Sequence, residues 1–168
     1  VFSDCDLFHT GFYKANLTEA RIIGSDLLYP FFYKTCLFKA SFKISDNIRR
    51  GVFRQCNFKN TELDGGYLEE SDFRNSDLSE SRIGVKRILK TNFTKAKFNG
   101  ADFKGCRSMM ECDLRFSSLT GANLTEVRIE KSDLSFVDLS LLKIRQGTAF
   151  IGNKMIATNL SRYDFREA

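Results

Sequence analysis

The sequence predicts an all-β protein built as a solenoid of short repeats. Three observations predict it. A large apolar residue recurs at every fifth position along the whole chain. The residue two places before each of these is usually small. Ala and Glu are sparse, while Ser, Thr, Asn, Asp and Gly abound, a composition that gives helices little support. A period of about 3.6 makes a helix and a period of about 2 a strand. A step of five fits neither, and tandem repetition at a fixed step marks stacked, identical units.

The elements follow in order. From Phe2 the series runs Leu7, Phe12, Leu17, Ile22, Leu27, Phe32, Leu37 and Phe42. One extra residue intervenes, and the series resumes at Ile48, Phe53, Phe58, Leu63, Leu68, Phe73, Leu78, Ile83, Ile88, Phe93, Phe98 and Phe103. A second slip leads to Met109, Leu114, Leu119, Leu124, Ile129, Leu134, Leu139 and Ile144. A third leads to Phe150, Met155, Leu160 and Phe165. All 33 centres are apolar and hold 12 of the 17 Phe, which chance cannot produce in a chain that is 42% hydrophobic. Small residues such as Cys5, Ala15, Ala20, Ser25, Thr35, Ala40, Gly51, Cys56 and Thr61 stand two before the centres. Asp or Asn directly precedes 15 of the 33 centres.

Segments such as Ala15-Asn16-Leu17-Thr18-Glu19, Ala101-Asp102-Phe103-Lys104-Gly105 and Ala122-Asn123-Leu124-Thr125-Glu126 read A-(D/N)-(L/F)-x-x. This pattern resembles the pentapeptide-repeat family, and the resemblance covers the whole chain. It implies a right-handed quadrilateral β-helix, in which each repeat is one side of a square and four repeats make a coil. The large centre and the small residue two before it would point inward, and the other three positions outward. Coils stacked at about 4.8 Å by backbone hydrogen bonds would number about eight and form a rod on the order of 40 Å long.

Counted from Phe2, the one-residue insertions precede repeats 10, 22 and 30. These spacings are multiples of four, so all three insertions should fall on one side of the square. The segments concerned are residues 43–47, 104–108 and 145–149. They are expected to form corner bulges, a ridge of the kind that can carry binding function on a rigid scaffold.

The same counting sorts the surface. One face should display Lys14, Lys34, Arg54, Arg74, Lys95 and Arg115, opposed by Asp72, Asp113 and Asp133. This is either a solvated face with local ion pairs or a basic stripe for an acidic surface or phosphates. Near the N-terminus Phe8, Tyr13, Leu28, Tyr29, Phe31, Tyr33 and Phe38 take outward positions. A cluster of exposed apolar groups marks a covered surface. Pro30 takes an inward slot beside Phe31, where it could distort the coil, and Lys86 takes an inward slot as well.

Little else suggests chemistry. The 26 cations and 21 anions leave a net charge of +5 without a basic run, weak grounds for nucleic acid. The exposed aromatics are expected to lie away from most of the cations. No segment approaches the roughly 18 apolar residues of a membrane span. The first ten residues lack a signal peptide's basic start and apolar core. The five Cys form no CxxC pair and read as free thiols, with Cys5, Cys56 and Cys112 inward and Cys36 outward. His9, the single His, takes an outward slot. No metal, cofactor or catalytic motif is expected. Residues 1–168 read as one domain, and the start at Val1 rather than Met suggests a piece of a longer chain. The expected function is a non-catalytic protein-interaction scaffold. The family resemblance extends this to one domain of a bacterial effector-like protein, some members of which carry a ubiquitin-ligase domain. The alternative is a DNA mimic that binds and protects a topoisomerase such as gyrase, a role at odds with the positive net charge.

Overall fold

The computed structural model describes residues 1–25, 27–144 and 147–161, with the side chain of Asp46 left aside. Phe165, and Arg145 and Gln146 of the third insertion, lie outside the described residues. The strands are β1 (Phe2–Ser3), β2 (Gly11–Tyr13), β3 (Arg21–Ile23), β4 (Leu27–Leu28), β5 (Phe31–Tyr33) and β6 (Ser41–Arg49). They continue as β7 (Val52–Arg54), β8 (Glu62–Glu69), β9 (Arg82–Leu89), β10 (Ser108–Met110), β11 (Arg128–Glu130) and β12 (Ala149–Ile151). No helix occurs among the described residues.

Every pairing is parallel and joins one coil to the next. Phe2 lies against Ile22 and Ile22 against Phe42, one turn of the square per step. Four faces result. The first carries the centres Ile22, Phe42 and Leu63, and the second Leu27, Ile48 and Leu68. The third carries Phe12, Phe32 and Phe53, and the fourth Leu37, Phe58 and Leu78. The fourth face is crossed at Asn16, Cys36, Asn57, Asp77, Lys97, Ser118, Asp138 and Asn159, each bridged to the next. The right-handed quadrilateral β-helix therefore makes about 7 turns.

The three insertions share the corner between the first and second faces. Between β6 and β8 the register shifts by one between Ile44 and Asn47. The second extra residue lies between the bridge Arg82–Asp102 and the pair Arg87–Ser108. The third lies between Asn123–Lys143 and Arg128–Ala149. At this corner β6, β8 and β9 run through without a break, so the corner is opened. This corrects the inward placement of Lys86, which is exposed while Val85 is fully buried. In an opened corner the chain can turn either neighbour inward, and burying a Val is favourable where burying an ammonium is costly.

Elsewhere the corners are sharp, and the second residue after each centre adopts positive φ. Among the described residues 22 non-Gly residues take this conformation, from Asp4 (φ 51) to Ala157 (φ 51), and none is Val, Ile or Thr. A Cβ in left-handed geometry crowds the backbone, most severely when branched. Gly65 is a special case. Its φ is +92 and an added Cβ would lie 2.1 Å from the Ile44 carbonyl oxygen.

The Asp and Asn preference has a local cause. Their side-chain oxygens accept a hydrogen bond from the N–H two residues on, as in Asn16 with Thr18 (3.1 Å), Asn92 with Thr94 (2.9 Å) and Asp138 with Ser140 (2.9 Å). Such turns start the bend that each side of the square requires.

Inside, the third face stacks Phe12, Phe32, Phe53, Phe73 and Phe93 with ring centroids 4.6–5.3 Å apart. Small polar residues fill much of the remaining lumen, and several bond to the previous coil. Thr35 donates to the Phe12 carbonyl at 2.6 Å and Thr61 to the Leu37 carbonyl at 2.7 Å, so their burial leaves no lost hydrogen bond. In the last described coil the centres Met155 and Leu160 are exposed rather than buried.

Candidate functional site

The N-terminal apolar residues form two aromatic groups on the second and third faces. Phe8 meets Tyr29 edge to face at 5.9 Å, and His9 stacks on Tyr29 at 4.9 Å. Arg50 donates to the Tyr29 hydroxyl at 2.8 Å while its guanidinium lies over the ring. On the third face Tyr13 stacks on Tyr33 at 5.8 Å, and Phe31 lies 6.4 Å from Tyr33. Tyr13, Phe8 and Phe31 are 60%, 53% and 43% exposed. Leu28 and Tyr29 are exposed to a lesser degree, and Tyr33 and Phe38 are half-buried. Pro30 causes no distortion, since β5 keeps full register with β2 and β7.

Four cations nonetheless lie over the N-terminal aromatics, Arg50 among them. Lys14 stands 5.0 Å from the Tyr13 centroid, Lys34 5.4 Å from Tyr33 and Lys39 5.3 Å from Phe38. Step counting placed the cations but not the reach of their stems. A residue after a corner folds back over the ring beside it.

The six cations of the expected stripe do line the third face, but their surroundings differ. Asp72 takes Arg54 at 2.5 Å and Arg74 at 2.7 Å. Arg115 pairs with Asp113 at 2.6 Å and approaches Asp133 at 4.0 Å, which also receives Lys154. Burial alone would push the Asp72 carboxyl up, yet the Arg74 side chain and N–H, with Arg54, outweigh it and hold it below the usual range. The Arg115 guanidinium holds Asp113 low, more than its partial burial raises it. Lys14, Lys34 and Lys95 have no ion pair among the described residues.

Two features escaped the sequence reading. The second face carries alternating ion pairs, with Arg50 on Glu70 (2.6 Å), Arg49 on Glu70 (3.4 Å) and Arg87 on Glu69 (3.2 Å). Stepping one coil from Arg50 to Glu70 would have found them. At the corner after the third face, Phe116 and Phe136 stack at 4.9 Å, both about half exposed. They are among the five Phe that do not sit at centres, and that count was the available signal.

Burial pushes the Cys56 thiol up to about 11 and those of Cys106 and Cys112 up to about 12. Cys5 and Cys36 are half-buried, and Cys36 contacts the Thr18 hydroxyl at 3.4 Å. Among the described residues no group of His, Cys, Asp and Glu could hold a metal ion, and no helix is long and apolar enough to cross a membrane.

A family model for pentapeptide repeats matches residues 52–83, 89–107 and 108–141, with 8 copies. No curated protein matches the sequence. Among solved structures, a trypsin-treated form of QnrB1, a plasmid-mediated fluoroquinolone resistance protein, is 20% identical with a TM-score of 0.63, covering 94% of this chain and 76% of its own. The pentapeptide repeat protein Rfr23 of the cyanobacterium Cyanothece is 18% identical with a TM-score of 0.34, covering 88% of this chain and 89% of its own. A pentapeptide repeat protein of the Arabidopsis thaliana thylakoid lumen is 25% identical with a TM-score of 0.34, covering 68% of each chain.

Proposed function

Because this chain belongs to the pentapeptide-repeat family, we propose that it acts as a non-catalytic rod that binds another protein, or an adjacent domain, through its N-terminal aromatic surface. The observation that carries this reading is the exposure of Phe8, Tyr13 and Phe31 in two aromatic groups on adjoining faces. Covering an aromatic side chain of this size contributes about 1.5–3 kcal/mol, enough in combination to anchor an interface. The rod would serve as one domain of a larger, effector-like bacterial protein. Light scattering establishes the oligomeric state, and capture by the wild type is then compared with Phe8→Ser/Tyr29→Ser/Phe31→Ser. A monomer whose captured partner disappears with the variant supports the reading; undiminished capture by the variant overturns it.

A second reading, topoisomerase protection, draws on the fold shared with QnrB1 across 94% of the chain. A mimic of duplex DNA needs continuous negative charge. Here Asp72 and Asp113 are each neutralised by Arg at 2.7 Å or less, and the net charge is +5. The first reading therefore leads. Relief of quinolone inhibition of gyrase by the purified chain would reverse the order.

A further inference from the structure

The third face changes character along the rod. Over its first three passes the outward residues are Gly11, Tyr13, Lys14, Phe31, Tyr33, Lys34, Val52, Arg54 and Gln55, with no carboxylate among them. The first carboxylate is Asp72, which Arg54 and Arg74 already hold. Beyond it, Arg115 pairs with Asp113 and Lys154 with Asp133, while Lys95 has no ion pair among the described residues. The N-terminal portion is thus a cationic, aromatic surface with Lys14 and Lys34 lacking acids among the described residues, joined to a portion in which most cations are paired.

Aromatics interleaved with cations would suit unpaired bases if ring faces were open. They are not. Tyr13 and Tyr33 stack on each other at an interplanar angle of 13°. The Lys14 and Lys34 ammonium groups lie over these rings. The ring surface that stays exposed packs against aliphatic and aromatic side chains, and the ammonium groups beside it attract carboxylates.

We propose that the first three passes of the third face bind an acidic protein segment bearing apolar side chains, its carboxylates on Lys14 and Lys34 and its apolar groups against Tyr13, Phe31 and Tyr33. This deepens the protein-binding reading and rests on it. The pairing complements charge where the rod supplies none of its own, and it sets specificity and encounter rate more than raw affinity.

The test is fluorescence anisotropy with three labelled probes: a peptide of repeated Glu-Glu-Phe, the same peptide with Gln for Glu, and oligo-dT. The acidic peptide is expected to bind best and to weaken with salt as the exposed charges are screened. Lys14→Met/Lys34→Met keeps the apolar stems and removes the charges, and should weaken the acidic peptide about tenfold, a change of about 1.4 kcal/mol. Equal binding of the acidic and neutral peptides, or indifference to the Lys variant, overturns the inference while leaving protein binding intact. Preferential binding of oligo-dT overturns both. Unchanged far-UV circular dichroism confirms that each variant is folded.

Discussion

The phenylalanine ladder makes the sharpest energetic prediction. Phe53 is fully buried, stacked between Phe32 at 5.1 Å and Phe73 at 4.6 Å, with Phe58 edge-on at 5.7 Å. Phe53→Ala removes the transfer energy of the ring, leaves a cavity the coils cannot close, and loses two stacked pairs. Such substitutions cost about 4–5 kcal/mol at the upper end of the usual range, of which each aromatic pair supplies about 0.5–1.5 kcal/mol. Phe12 is half-buried and stacks on one side only, against Phe32 at 4.8 Å. Its replacement by Ala should cost about half as much, about 2 kcal/mol. With a urea slope of about 2 kcal/mol/M, the midpoint falls by roughly 2 M for Phe53→Ala and roughly 1 M for Phe12→Ala. The chain has no Trp, so far-UV circular dichroism follows the transition. Coils interact mainly with their neighbours, so amide exchange should show fraying confined to the end for Phe12→Ala and loss of protection on both sides of the lesion for Phe53→Ala. Equal costs for the two variants would refute the continuous stack.

Three further predictions concern local devices. Gly65→Ala places a Cβ against the Ile44 carbonyl at positive φ and should destabilise by roughly 3 kcal/mol, measured by the same urea titration. The carboxyls of Asp72 and Asp113 are held low in the folded state. Their stabilisation is therefore complete above the unfolded value of about 3.9 and is lost as pH falls through the lower folded values. Thermal melts should drop below about pH 4, and Asp72→Asn should flatten that drop. In native protein a disulfide reagent should modify Cys5 and Cys36 but spare Cys56, Cys106 and Cys112, whose thiols are buried and pushed up to about 11 or 12; denaturant should release all five.

The repeat made most of the fold legible because the lumen accepts one large side chain per side, a requirement imposed on residues Leu7 to Leu139 alike. Counting also located the insertion corner, since an added residue changes the register of everything after it. It failed at Lys86 because a fixed step assumes that every corner is equally sharp, and β9 runs straight through this one. At the surface, counting assigned Lys34 and Arg54 to one face, but it could not show that one lies over a tyrosine ring and the other on Asp72. Face assignment follows from the coil, whereas pairing depends on side-chain length and on which neighbour reaches first. The left-handed corner positions were legible in principle: the absence of Val, Ile and Thr at 22 of them is a compositional signal, though a weaker one than the Asp and Asn preference.

The binding account is tested most directly by hydrogen exchange of the full chain with its captured partner bound. It predicts new protection in peptides spanning residues 8–38, centred on Tyr13, Phe31 and Tyr33, with residues 72–144 unchanged. Protection confined to the corner of Phe116 and Phe136, or to the fourth face, would contradict it.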